Sequence, residues 1–352
     1  MDAVMAMDQD MGDEANRRTT SFVRTIERVD THVNLLADRQ AWQAAHDGVV
    51  GRCEVWQRAL SRALRVASTD ATVFLQGESG TGKEVVARFI HRASPRRNGP
   101  FVAINCAALP EQLLESELFG YERGAFTGAH QAKVGQIELA SRGVLFLDEV
   151  SEMTMTAQAK FLRFLQEREF QRLGGTRPQK ANVRVISASN RDLREAVHKG
   201  TFREDLFYRL RVFDIRLPAL RERLSDLPLL AAHFLAEFAE TIGRGVLRLS
   251  DEARDILTAH DWPGNIRELR NVLESAAILS DDGLIEPRHL TLHTREATAP
   301  PHDLTAMERH KFLDVLHRTD WNKSKAARML GLTRTQLYVR LRRHGIENRE
   351  TM

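Results

Sequence analysis

Short apolar runs alternate with longer stretches of helical spacing from about Gly51 onward. Five such runs, rich in Val, Ile and Phe, are ATVFLQ (71–76), FVAIN (101–105), VLFLD (144–148), VRVISAS (183–189) and FDIRL (213–217). Buried strands separated by helices are typical of a parallel sheet that is covered on both faces. The pattern therefore predicts an α/β fold in which chemistry gathers at the carboxyl ends of the strands.

Helical spacing continues after Pro218 and predicts a smaller all-α unit. The division of the chain that we expect is an N-terminal segment, partly disordered with one helix (1–48), an α/β subdomain (49–225), a helical subdomain (226–292), a linker (293–303) and a C-terminal helical domain (304–352). The N-terminal helix is indicated by Phe22, Ile26, Val29 and Val33.

Composition narrows the class of protein. With 352 residues and two cysteines, the chain is long enough for several domains and has no disulfide framework. No signal peptide is evident, and no apolar run approaches the roughly 18 residues of a membrane span. We therefore expect a cytoplasmic protein that makes no contact with the membrane. Residues 303–352 carry eleven Lys and Arg against six Asp and Glu, which points to nucleic acid at this end.

A glycine-rich stretch, GESGTGKE, directly follows the first strand and precedes a helix. Glycines let backbone N–H groups surround phosphates, and the amino end of the helix adds positive potential. Lys83 would reach the β- and γ-phosphates of ATP, whereas Glu84 replaces the usual Ser or Thr that binds Mg²⁺. The candidate ATP-binding residues are Gly77, Glu78, Ser79, Gly80, Thr81, Gly82, Lys83 and Glu84.

Two adjacent carboxylates end the third apolar run. Asp148 can hold Mg²⁺ through water, and Glu149 can polarise the attacking water, so the pair predicts ATP hydrolysis. Taken alone, the pair also fits a strand end with solvated acids.

Further polar residues suit the same site. Asn105 ends the second strand and Asn190 follows the fourth, and each could sense the γ-phosphate, orient water or simply form a turn. Arg203 and Arg209 could stabilise charge on a phosphoryl group, although surface ion pairs are the alternative. Arg267 lies in the first turn of a helix, where a cation opposes the dipole.

The stretch GYERGAFTGAH (120–130) holds three glycines and an aromatic residue. Such a composition predicts a loop, and a loop offers Phe126 little burial.

A helix-turn-helix is predicted over residues 322–346, with Ala327 at the helix crossing, Gly331 in the turn and Leu337 facing inward. Arg and Gln near the start of a recognition helix suit base edges, while other basic residues suit phosphates. A basic helical hairpin without a DNA role is the alternative. The candidate DNA-binding residues are Lys323, Lys325, Arg334, Thr335, Gln336, Arg340, Arg342 and Arg343.

These motifs together resemble the bacterial enhancer-binding proteins, the AAA+ ATPases that activate sigma-54 RNA polymerase. The resemblance covers residues 49–346, and its most specific element is the intact GAFTGA stretch. In this family a Glu also follows the lysine of the phosphate loop, so Glu84 matches the family pattern. The residues that the resemblance assigns to sigma-54 contact are Gly124, Ala125, Phe126, Thr127, Gly128 and Ala129.

The resemblance also implies roles for the other candidates. Asn105 corresponds to a switch that couples the γ-phosphate to the loop, Arg203 and Arg209 to arginine fingers that act on a neighbouring subunit, and Arg267 to a lid sensor. It implies a Rossmann-like five-stranded sheet with a helical lid, a hexameric ring, and a dimeric Fis-type DNA-binding domain.

We accordingly expect an activator that remodels the closed promoter complex of the sigma-54 RNA polymerase holoenzyme from enhancer DNA. Fewer than fifty residues precede the ATPase, so we expect no receiver domain and control by abundance or by a partner protein. Whether the ring contains one chain type or two stays open. A repressor with a vestigial ATPase, or an AAA+ remodeller of another substrate, are the alternatives.

Overall fold

The computed structural model describes residues 48–243 and 245–292, together with 315–316, 319, 321, 323–329 and 337. The chain divides into two compact units between residues 291 and 292. The predicted N-terminal helix and the predicted linker lie outside the described residues. Among the helices that are described, none is both long enough and apolar enough to cross a bilayer.

Eleven strands lie within the described residues. In chain order they are β1 (Val73–Gln76), β2 (Phe101–Asn105), β3 (Gly120–Tyr121), β4 (Lys133–Val134), β5 (Val144–Asp148), β6 (Glu169–Phe170), β7 (Gln179–Lys180), β8 (Arg184–Ser189), β9 (Phe213–Arg216), β10 (Arg248–Leu249) and β11 (Leu284–Ile285).

The described helices are, in chain order, α1 (Glu54–Ala67), α2 (Lys83–Arg92), α3 (Glu111–Phe119), α4 (Gln136–Leu139), α5 (Met155–Glu167), α6 (Leu193–His198), α7 (Glu204–Leu210), α8 (Leu227–Ile242), α9 (Asp251–Ala259), α10 (Asn265–Leu279) and α11 (Lys323–Met329). Three short 3-10 helices cover Val150–Glu152, Leu220–Asp226 and Pro287–His289.

The five predicted strands form one parallel sheet in the order β2-β5-β8-β1-β9. Each strand begins and ends within two residues of the apolar run that predicted it. The fold class is therefore the predicted AAA+ arrangement, a Rossmann-like sheet with a helical subdomain after it.

Both faces of the sheet are buried, and β5 makes this clear. Leu145 and Leu147 pack in a cluster with α3, α5 and α7, while Val144 and Phe146 pack in a second cluster with α1 and α2. Successive side chains of a strand point to opposite faces, so an unbroken apolar run is required wherever helices cover both. This burial fixes the carboxyl edge of the sheet, where the candidate site lies.

The helical lid comprises α8, α9 and α10, with the short parallel pair β10–β11. The side chain of Ser250 caps α9 by accepting a hydrogen bond from the Ala253 N–H. Trp262 is fully buried and donates its indole N–H to the Leu257 carbonyl. These contacts hold the turn that precedes α10 and so place the first residues of that helix.

In the C-terminal unit, the described residues form a small apolar cluster. Ala326 and Ala327 of α11 pack with Val315, Leu316 and Leu337. The inward placement of Ala327 and Leu337 is the one that the helix-turn-helix pattern predicts.

Candidate nucleotide site

The glycine-rich loop joins β1 to α2, as its sequence context predicts. Gly80 and Gly82 adopt left-handed φ values of 79° and 95°, which favour glycine because it lacks a Cβ. Lys83 is the first residue of α2, and only 6% of its side chain is exposed. Its Nζ donates to the Gly77 carbonyl at 3.1 Å. Residues 79–84 of the loop line one cavity, whereas the candidates Gly77 and Glu78 are not among the described residues that line it.

The two carboxylates lie at the carboxyl end of β5 and have different hydrogen-bond partners. Asp148 ends the strand and accepts a hydrogen bond from the Glu149 N–H at 3.1 Å. Glu149 has a left-handed backbone (φ 52°), and its Oε1 lies 3.2 Å from Lys83 Nζ. Its Oε2 accepts from the Asn190 N–H at 3.0 Å. Glu149 is thus held between the phosphate loop and the end of β8.

Burial raises the pKa of the Asp148 carboxyl, and the charge of Glu149 raises it further, while Lys83 acts in the opposite direction. A nearby cation favours the charged form of a carboxylate, whereas desolvation favours the neutral form. A carboxylate beside a buried amine is a donor set that fits a magnesium nucleotide, since Mg²⁺ prefers oxygen ligands and phosphates prefer cations.

Asn105 and Asn190 both reach this region. Asn105 pairs with Asp148 across the β2–β5 register, and its Oδ1 accepts from the Ala107 N–H at 2.9 Å. Both asparagines line the cavity. The side chain of Asn105 therefore forms the turn that sequence reasoning allowed and also faces the site.

Arg267 from the lid lines the cavity too, and its Nη1 donates to Ser79 Oγ at 3.0 Å. Asn265 follows the Pro263–Gly264 pair, a position that favours a helix cap, but the N-cap of α10 is Gly264 and Asn265 is the first residue of the helix. Its buried side chain instead donates to the Ser79 carbonyl and accepts from the Leu220 N–H. The backbone of Asn265 has a left-handed φ of 52°.

The cavity has a volume of about 770 Å³, which is large enough for a nucleotide. Several of its lining residues were not found from the sequence, because they lie in segments that carry no nucleotide-binding motif, most of them on the lid or near the start of the α/β subdomain. A signal was present in α8, where Leu230, His233 and Phe234 share one face at i, i+3 and i+4. The lining residues missed are Gly48, Val50, Trp56, Val85, Ala107, Glu152, Arg191, Arg223, Leu230, His233, Phe234, Ile266, Arg270 and Asn271.

Arg203 and Arg209 are not among the described residues that line the cavity. Arg203 pairs with Asp205, with Nη2 to Oδ2 at 2.7 Å, and Arg209 donates to the Leu165 carbonyl at 3.2 Å. The structure therefore places both on α7 or at its start, away from the Lys83–Glu149 pair of their own chain.

The GAFTGA loop (124–129) lies between β3 and β4, and Phe126 is 44% exposed. The Phe126 ring packs edge-on against the Tyr121 ring, with the ring centroids 4.9 Å apart. The loop also approaches the LGG segment (173–175) closely, because a Cβ at Gly174 would lie 2.8 Å from the Cα of Ala125. Glu122, just before the loop, donates its N–H to the Leu173 carbonyl at 2.9 Å. Arg172 bridges the two segments through Glu122 at 3.1 Å and anchors them to Glu138 at 2.8 Å.

Two of the eight candidate DNA-binding residues are described. Lys323 and Lys325 lie on α11, with Lys325 exposed and Lys323 half-buried. The other six candidates lie outside the described residues.

The sheet order, the phosphate loop, the acidic pair beside it and the helical lid together define an AAA+ nucleotide-binding protein. Family profiles match along the chain: the Sigma-54 interaction domain at residues 49–216, the AAA+ ATPase lid domain at 221–307, and the bacterial regulatory proteins of the Fis family at 304–344.

Known proteins resemble the chain over most of its length. It is 46% identical over 312 residues to the Nif-specific regulatory protein of Azotobacter vinelandii, covering 86% of this chain and 60% of that protein. It is 43% identical over 321 residues to the regulatory protein AtoC of Escherichia coli, covering 87% of this chain and 69% of that protein.

The crystal structure of NtrX from Brucella abortus in complex with ATP is similar to this structure. The TM-score is 0.66 at 33% sequence identity, with 96% of this chain and 74% of that chain covered. The chain belongs to the sigma-54-dependent transcriptional activators. It spans three fifths of the length of the Azotobacter regulator.

Proposed function

We propose that this protein is an ATP-hydrolysing activator of sigma-54 RNA polymerase, which binds enhancer DNA and remodels the closed promoter complex into the open complex. The observation that carries the proposal is the presence, in one α/β subdomain, of the Lys83–Asp148–Glu149 site and an exposed GAFTGA loop. A protein that only bound DNA would need neither the acidic pair nor an exposed Phe126.

In this proposal the phosphate loop and Lys83 bind the phosphates of ATP, and Glu149 accepts a proton from the attacking water. Asp148 would hold Mg²⁺ through water, and the ion would offset negative charge on the phosphates. In the structure Lys83 and the Asn190 N–H hold the Glu149 carboxylate. Competition of the phosphates for Lys83 would free the carboxylate of Glu149 to orient water.

We further propose that Arg203 and Arg209 act on the nucleotide of a neighbouring subunit in a ring. Their separation from the Lys83–Glu149 pair of the same chain supports this role. The Asp205 carboxylate would hold the Arg203 guanidinium until a neighbouring phosphate competes for it.

The GAFTGA loop would deliver the conformational change to sigma-54 through Phe126 and Thr127. The close approach of Ala125 to Gly174, and the contacts of the preceding Glu122 with Leu173 and Arg172, give the loop a defined resting position from which to move. The C-terminal domain would hold the ring near the promoter through Lys323, Lys325 and the predicted recognition helix.

The experiment that tests this function is transcription from a sigma-54 promoter by the purified protein, with ATP or with a non-hydrolysable analogue. We expect open complexes with ATP and none with the analogue. Open complexes with both would remove hydrolysis from the mechanism, and open complexes with neither would favour a repressor or a remodeller of another substrate.

A further inference from the structure

The lid contacts the first half of the phosphate loop directly. The Ile266 N–H donates to the Gly80 carbonyl at 3.0 Å, and Asn265 Nδ2 donates to the Ser79 carbonyl at 3.0 Å. Gly80 approaches Gly264 so closely that a Cβ at residue 80 would overlap the Gly264 carbonyl oxygen. Loop and lid therefore share one packed boundary, and a shift of the lid must disturb the loop.

Glu78, the second residue of the glycine-rich loop, faces this boundary. Its carboxylate forms a bidentate pair with the Arg221 guanidinium, with Nη1 to Oε2 at 2.8 Å. Its Oε2 also lies 3.2 Å from Asn265 Nδ2. Glu78 is not among the described residues that line the cavity. Its side chain is thus used for contact with other parts of the chain.

Arg221 and Asn265 connect Glu78 to two segments of the chain, the connection that leads into the lid and the start of α10. Arg221 lies in the 3-10 helix Leu220–Asp226, which joins the sheet to α8. Asn265 opens α10, is fully buried, and accepts from the Leu220 N–H at 2.8 Å. Each polar group of the Asn265 side chain therefore has a partner in the loop or in the connecting helix. A buried amide with all its partners satisfied holds one geometry, since leaving a partner unpaired is costly.

We propose that Glu78, Arg221 and Asn265 form a latch that docks the helical lid onto the phosphate loop and thereby sets the affinity for nucleotide. This inference rests on the proposed binding of ATP in the cavity. Leu230, His233, Phe234 and Arg267 of the lid line that cavity, so docking of the lid completes the wall around the nucleotide. Glu78 acts as a positioning residue in this scheme.

The Glu78 carboxylate of the latch is charged at neutral pH. The Arg221 guanidinium, chiefly, holds the pKa of the Glu78 carboxyl at about 2, with a smaller contribution from Asn265. The pair is half-exposed, so its strength is moderate and dissolved salt weakens it.

The test compares Glu78→Gln, Arg221→Gln and the double variant by binding of a fluorescent ATP analogue. We expect each single variant to bind about five-fold more weakly, which is the range for a pair of this exposure. The double variant should bind no more weakly than either single one, because both remove the same interaction. In steady-state hydrolysis KM should rise while kcat changes less than about two-fold, since the latch acts on nucleotide binding and saturating nucleotide fills every site.

Hydrogen exchange reports on the latch without nucleotide. The Ile266 amide is protected by its bond to the Gly80 carbonyl. In the nucleotide-free protein we expect its exchange to accelerate about five-fold in both single variants. If the wild-type protein bound no ATP, the proposed function would fail, whereas unchanged exchange at Ile266 would overturn the latch alone.

Arg216→Gln is the matched control. Arg216 pairs with Glu222 at 3.3 Å and acts on Glu78 through its charge, whereas Arg221 also hydrogen-bonds to that carboxylate. The variant therefore removes a charge near Glu78 and leaves the Arg221 pair in place. We expect wild-type nucleotide affinity and wild-type exchange at Ile266. Equal effects of Arg216→Gln and Arg221→Gln would mean that the loss of one positive charge, and not the loss of the contact, weakens nucleotide binding. The latch would then be rejected. Arg221→Lys should give a smaller loss than Arg221→Gln, because lysine keeps the charge but not the bidentate geometry.

Discussion

The side-chain nitrogen of Lys83 lies 3.2 Å from a carboxylate oxygen of Glu149, across 66 residues of sequence. The pair joins the phosphate loop to the residue that follows β5. Both side chains are largely buried, so each compensates a charge that would otherwise be costly to desolvate. Phosphates that enter the cavity must compete with Glu149 for Lys83, and this links nucleotide binding to the freedom of the proposed base.

Glu149→Gln should separate binding from hydrolysis. The amide keeps the shape of the side chain but cannot accept a proton from water, so kcat should fall by about 10²- to 10⁴-fold. Affinity for ATP should stay within a few-fold of wild type, as measured with a fluorescent analogue. Glu167→Gln, which alters an exposed pair with Arg163, is the control. Hydrolysis at the wild-type rate by Glu149→Gln would refute the assigned role.

Gly174→Ala should loosen the GAFTGA loop. Residue 174 has φ 72°, and a Cβ there would lie 2.8 Å from the Cα and Cβ of Ala125. We expect a loss of about 1 kcal/mol in stability and faster tryptic cleavage at the exposed Arg123.

Gly200→Ala is the matched control for that variant. Gly200 has nearly the same φ, 70°, but the site of its Cβ is open space. The backbone strain should be similar, while cleavage at Arg123 should stay at the wild-type rate. Equal acceleration by both variants would show that the Gly174–Ala125 contact does not hold the loop.

Cys106 should make stability fall at alkaline pH. Burial, with a further contribution from Asp148, raises the pKa of its thiol to about 12 from an ordinary value of 9.0. Between these pH values the unfolded state loses a proton that the folded state keeps, so the free energy of unfolding falls as pH rises, by up to about 1.4 kcal/mol per pH unit. Denaturant titrations of wild type and Cys106→Ser, compared from pH 8 to 11, measure the difference. A constant difference across this window would contradict the prediction.

Lys323→Ala should weaken binding to all DNA sequences. A lysine that contacts phosphate contributes charge but no base recognition, so the salt slope of log K should fall by about 1. Arg334→Ala should instead reduce discrimination between specific and random duplexes. Fluorescence anisotropy at several salt concentrations distinguishes the two, and sequence-dependent loss with Lys323→Ala would contradict its assignment to phosphate.

The sheet could be predicted because its evidence is local. The run VLFLD is apolar at both faces of β5 and ends in Asp148, the first residue of the acidic pair, so strand and site are contiguous in the sequence. Lys83 is identified in the same way by the glycines that precede it. For such elements, residues that are neighbours in the sequence determine both the local structure and the position of the site.

The lid contacts could not be predicted because they join distant segments. Glu78 and Asn265 are 187 residues apart, and neither residue carries a pattern that names the other. Asn265 follows a Pro-Gly turn, which favours a helix cap, yet tertiary packing turns its side chain into the loop. Tertiary contact therefore outweighs the local preference of an asparagine for a cap.

The central claim is that hydrolysis reaches sigma-54 through the GAFTGA loop, and Thr127→Ala tests it most directly. The measurement is the rate of ATP hydrolysis alongside the yield of open complexes at a sigma-54 promoter, for wild type and variant in the same preparation. The account predicts hydrolysis within about two-fold of wild type and no open complexes. Open complexes at the wild-type yield, or loss of hydrolysis together with activation, would contradict it.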